Sequence, residues 1–183
     1  MSEALQAPPS WMLLHAMFAW RELPRLLLRA PELARQPGGE GTPVRVFPGF
    51  AAGDASTLPI RSYLAWLGYD VAGWGLGTNR GDVPALVPRL VDLTRAAAER
   101  AGRPVRLVGW SLGGVLAREV TREAPEAVDR VVTFGSPVVG GPKYTSAARH
   151  YRRQGLDLDQ SEREVAARDE VPLRRPVTAI YRK

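Results

Sequence analysis

The chain has no cysteine, which excludes disulfides and thiolate metal sites but leaves the compartment open. Its two histidines, His15 and His150, are far apart and offer no metal-ligand spacing, so no metal site is expected. Lysine is nearly missing too: Lys143 and Lys183 stand among 25 basic residues that are otherwise arginine. The arginines run through every segment and alternate with acids, as in Arg118-Glu119 and Glu162-Arg163-Glu164. A net charge of +6 therefore reads as a solvated charged surface, with no nucleic-acid partner. There is no G-x-x-x-x-G-K-[ST] motif, and after Gly73, Gly75 and Gly77 the dinucleotide fingerprint fails because Thr78 takes a glycine position. No cofactor is expected.

A membrane-spanning run is also lacking. The apolar stretch from Trp11 to Trp20 is cut by Arg21-Glu22 and Pro24, well short of the ~20 residues a span requires. No basic region precedes it, which disfavours a signal peptide and makes the cytoplasm the expected location. A second patch, Leu26 to Leu28, is flanked by Arg25 and Arg29. Residues 1–36 are thus expected to be an apolar helical segment, two short helices broken near Pro24 and packed on the domain. Peripheral membrane contact through residues 11–28 is the alternative.

What is present points to one globular α/β domain. At 183 residues and 45% hydrophobic content, the chain can bury a substantial core. Past a glycine-rich hinge at Pro37 to Gly41, short apolar runs alternate with helical patterns. The strand candidates are Val44 to Phe47, Tyr69 to Ala72, Val105 to Val108, Val128 to Phe134 and Val177 to Tyr181. The helix candidates are Leu58 to Leu67, Val83 to Ala101 and Leu112 to Thr121, with Gly68, Gly102 and Pro125 at their ends. Such alternation implies βαβ crossovers and a parallel sheet of about five strands flanked by helices. The body is placed at 43–183. Within it, residues 138–175 follow the turn signals Gly135-Ser136-Pro137 and read as a helical, lid-like insertion.

The run Gly109-Trp110-Ser111-Leu112-Gly113 follows a β-branched strand and opens a helical stretch. That is the layout of a nucleophile elbow, a tight strand-to-helix turn that lifts a serine hydroxyl above the carboxyl edge of a sheet. Gly109 and Gly113 flank the apex where side chains would collide with each other or with the helix. Ser111 is the candidate catalytic nucleophile.

Together these pieces resemble the α/β-hydrolase fold, and more narrowly its esterase and lipase-like members, from about Val44 to Tyr181. Val46-Phe47-Pro48-Gly49-Phe50 looks like the strand and oxyanion loop of such enzymes; Tyr69 to Asn79 looks like the next strand and its loop. Val131 to Pro137 looks like the strand after the elbow. The resemblance implies a strand order of fourth, third, fifth, sixth and seventh in the family's sheet. It also implies an oxyanion hole of two backbone N–H groups, from Phe50 and Leu112, with Gly49 allowing close approach. Trp74 and Asn79 are placed near the substrate mouth, with Trp74 read first as a packed side chain and second as a substrate contact. Acyl esters or lipids are the substrates implied.

The family's histidine and its orienting acid follow the serine in chain order. By this resemblance both fall beyond Lys183. The position after Phe134, used by some members for the acid, offers only Gly135 to Val138. The expectation is a truncated chain whose esterase activity is impaired or absent. A non-catalytic binding protein of the same fold is the competing reading.

Overall fold

The computed structural model describes residues 23–136 and 171–180. Two short helices come first, α1 (Leu23–Leu28) and α2 (Ala30–Ala34). They belong to a compact unit separate from the one that holds the sheet. The two are separated at Arg29; the expected break near Pro24 concerns the stretch before Leu23, which lies outside the described residues. The expected N-terminal stretch 1–22 and the lid-like insertion up to residue 170 lie outside the described residues, as do His15 and His150.

The sheet domain contains β1 (Pro43–Phe47), α3 (Leu58–Trp66), β2 (Asp70–Gly73), α4 (Val83–Ala101), β3 (Val105–Trp110), α5 (Leu112–Glu123), β4 (Val128–Phe134) and β5 (Val177–Ile180). Short 3-10 turns at Asp54–Thr57 and Pro125–Ala127 lead into α3 and β4. All neighbouring strands are parallel, in the spatial order β2-β1-β3-β4-β5. This is the order the resemblance implied.

Helices on both faces explain why β1 is buried at every residue instead of alternating. Along it, Val44 and Val46 turn to one face and meet Val108, Ile60 and Leu64 of α3, and Val132. Phe47 turns to the other, where Leu107, Val128 and Val131 pack against Val87, Leu90 and Val91 of α4 and Leu116, Ala117 and Val120 of α5. The spacing of those helical residues is the three-four repeat of an amphipathic stripe. α4 is delimited at both ends. The Asp82 side chain accepts from Ala85 N–H at 3.1 Å, and Gly102 closes the helix at φ 62°.

Parallel strands send all their carboxyl ends to one edge. The loops after β1 (48–54), β2 (74–81) and β3 (Ser111) therefore gather there, with Gly135 and Ser136 following β4. Among the described residues no helix is long and apolar enough to cross a membrane.

Candidate active site

Ser111 occupies the single residue between the end of β3 and the start of α5, with φ 52° and ψ −121°. L-residues avoid this region because Cβ crowds the backbone, and a serine held there costs roughly 1–3 kcal/mol. The conformation is fixed from both sides. Ser111 N–H donates to Phe134 O at 3.0 Å, tying the turn to the end of β4, and Gly114 N–H donates to Ser111 O at 3.0 Å. The side chain is half-buried.

The flanking glycines are required by close approach. A Cβ on Gly109 would lie 2.4 Å from Gly114 Cα, and one on Gly113 would lie 2.2 Å from Phe47 O. Both obstacles are backbone and cannot swing aside. The helix start is pressed onto the end of β1, which brings the following loop to the serine: a Cβ on Gly49 would sit 3.3 Å from Ser111 Cβ. Phe50 comes next and is half-buried. Leu112 is the first residue of α5, so its N–H has no acceptor within the helix. The positive end of the helix dipole lies at the same place.

The loop after β1 is bound tightly to the loop after β2. Asp54 accepts Trp74 N–H at 2.9 Å and Gly75 N–H at 3.1 Å. Asn79 is fully buried; its Nδ2 donates to Pro48 O at 2.9 Å and its Oδ1 accepts Gly81 N–H at 3.1 Å. Trp74 is fully buried in the larger apolar cluster, with its indole N–H donating to Gly77 O at 2.9 Å, which is the packed placement and not the substrate contact. Its surface is consumed by packing.

Two residues at this edge escaped the sequence reading. Asp54 has no local signature, because its partners lie 20 and 21 positions away. Trp110 immediately precedes the serine and keeps 37% of its surface exposed although it ends a central strand. Its ring lies against Gly49 and, across the edge, near Gly135. The only available signal was its place inside the elbow motif. Among the described residues there is no histidine and no cluster of side chains fit to hold a metal.

No protein-family model matches the sequence, and no curated protein does. Solved structures do match. The lipase BlEst2 of Bacillus licheniformis in its mature form aligns with a TM-score of 0.57 at 19% identity, over 79% of this chain and 67% of that one. Its propeptide form gives 0.56 at 20% identity, over 80% and 36%. A monoacylglycerol lipase of Paleococcus ferrophilus gives 0.54 at 17% identity, over 77% and 74%. The chain spans less than half the length of other structures it matches, 42% and 46% in two cases. A five-stranded parallel sheet in the order β2-β1-β3-β4-β5, together with these likenesses, shows that the chain has the α/β-hydrolase fold.

Proposed function

We propose that this domain is a serine hydrolase of the esterase or lipase type, acting on acyl esters through Ser111. The observation that carries the reading is the left-handed backbone of Ser111 at the junction of β3 and α5, packed against Gly49. A strained residue at a sheet's carboxyl edge supports a functional role, since nothing in the fold requires a serine in that conformation.

In the proposed reaction Ser111 Oγ attacks the ester carbonyl carbon. Its proton passes to a base, and the carbonyl oxygen becomes an anion. The N–H groups of Leu112 and Phe50 are the proposed donors to that oxygen, the first from the open end of α5 and the second from the loop beside Gly49. The tetrahedral adduct expels the alcohol, leaving an acyl-serine that water hydrolyses to acid and free Ser111. Lipases of the same fold support an ester substrate class. Leu26 and Leu28 of α1, 54% and 82% exposed, are the described part of the proposed contact with a lipid surface.

A second reading, a binding module without turnover, is favoured by one observation: the described residues contain no histidine to take the serine's proton. A fluorophosphonate probe separates the two. Labelling of the folded protein at Ser111, abolished in Ser111→Ala, is the expected result. A folded chain that stays unlabelled over hours overturns the hydrolase assignment.

A further inference from the structure

The loop that carries Gly49 and Phe50 is held by bonds that converge on one side chain and its own backbone. Asn79 Nδ2 donates to Pro48 O at 2.9 Å. Asn79 O accepts Ala51 N–H at 2.8 Å, and Asn79 N–H donates to Ala52 O at 2.8 Å. Ala52 N–H in turn reaches back to Gly49 O at 3.3 Å. A trans peptide points its C=O and N–H in opposite directions, so fixing one fixes the other. The bond to Pro48 O sets the 48–49 plane, the bond to Gly49 O sets the 49–50 plane, and the bond from Ala51 N–H sets the 50–51 plane. The direction of Phe50 N–H is thereby determined on both sides.

The clamp is itself anchored. Asn79 is wholly buried, and its Oδ1 is engaged by Gly81 N–H. Asp54 secures the other end of the same loop through Trp74 and Gly75. A Cβ on Gly53 would come within 2.9 Å of Gly77 O, so the two loops abut. Ala51 is kept at φ 57°, a conformation that a free loop would abandon.

We propose that Asn79 is a positioning residue: its side-chain amide, through Pro48 O, holds the loop after β1 in the one arrangement that presents Phe50 N–H to an oxyanion at Ser111. The catalytic part of this rests on the hydrolase reading above; the conformational part does not. The backbone bonds of Asn79 survive substitution, so variants at this position isolate the amide.

The test combines hydrogen exchange with phosphonylation kinetics on Asn79→Ala and Asn79→Asp. Aspartate keeps the size and the acceptor for Gly81 but, when ionised, has no proton for Pro48 O. It decides the matter should the alanine variant fail to fold. Exchange at Gly49 to Ala52 is expected to rise about tenfold, with the amides of β3 and β4 unchanged. The maximal rate of fluorophosphonate labelling is expected to fall about tenfold at unaltered probe affinity, a split that simple destabilisation does not produce. Protonation of the new aspartate at low pH restores a donor and part of the protection. Unchanged exchange at 49–52, or an increase only through global unfolding, overturns the proposal. So does an undiminished labelling rate in a variant whose wild type labels. If the wild type itself is never labelled, the hydrolase reading fails, and the exchange measurement alone still decides the role of Asn79.

Discussion

Replacing Ser111 by glycine should make this protein more stable than replacing it by alanine. Alanine retains a Cβ and therefore the crowding at φ 52°, ψ −121°, whereas glycine removes it. Releasing the strain is worth about 1–3 kcal/mol, and the added freedom of glycine in the unfolded chain returns about 0.5–1 kcal/mol. Loss of the Cβ contact with the Gly49 loop is smaller still, at ~0.1–0.2 kcal/mol per atom pair. The difference runs from about 0 to 2.5 kcal/mol in favour of glycine, with about 1 kcal/mol at its centre. For a domain of this size the central value corresponds to a rise in melting temperature of roughly 2–4 °C over Ser111→Ala. Urea unfolding followed by far-UV circular dichroism measures it directly, with equal m-values showing that both variants unfold from the same state. A glycine variant no more stable than the alanine one refutes the claim that this residue stores strain.

Two further outcomes follow from the geometry. Gly113→Ala places a methyl group 2.2 Å from Phe47 O and 2.7 Å from Pro48 O; we expect a loss of about 3 kcal/mol or more in urea titrations, because α5 must lift off β1. A loss under ~1 kcal/mol contradicts that packing. The carboxyl of Asp129 is held below its usual range, first by the hydrogen bond from Arg106, and that of Glu126 by its own backbone N–H and then by Arg95. A depressed carboxylate contributes stability that is present above its unfolded pKa of about 4 and lost as the pH falls through the lower folded value. Both pairs are well exposed, at 29% and 38% for Arg106–Asp129 and 46% and 60% for Arg95–Glu126, so each supplies only a few tenths of a kcal/mol. Asp129→Asn and Glu126→Gln should flatten the fall in melting temperature below about pH 4, and acid profiles parallel to wild type contradict the assignment.

The sheet was readable because its signals are local. β4 and α4 match the expected Val128–Phe134 and Val83–Ala101 to the residue, since β-branched runs and a capped three-four stripe need no distant partner to be recognised. β3 runs on to Trp110, past the expected Val108, because Gly109 and Trp110 pair in register with Thr133 and Phe134. Glycine's poor strand propensity concealed that extension, and tertiary pairing overrode it. The tight turn between β3 and α5 was legible for the same reason as the strands: Gly109, Ser111 and Gly113 lie close together in sequence. The clamp was not. Asn79 meets Pro48 across 31 positions and Asp54 meets Trp74 across 20, and no spacing rule links residues that far apart. Trp74, read first as a packed side chain, does fill the core beneath its glycine-rich loop.

Strain and clamping at this edge depend on one another. Among the described residues, three non-glycine positions have positive φ, and two of them, Ala51 and Ser111, lie on the facing loops that follow β1 and β3. Each conformation persists only where its surroundings leave no alternative. For Ser111 the constraint comes from the bond to Phe134 O on one side and the first turn of α5 on the other. For Ala51 it comes from Asn79. The two loops also lie close together: a Cβ added to Gly49 would sit 3.3 Å from Ser111 Cβ, so a side chain there would crowd the serine. The energy that sustains both comes from beneath, where Phe47, Leu107 and Leu116 are fully buried. A side chain of that size contributes about 1.5–3 kcal/mol on burial, comparable to the cost of one strained residue. A rigid parallel sheet can thus hold its loops in unfavourable backbone states, and an exposed turn of the same sequence could not.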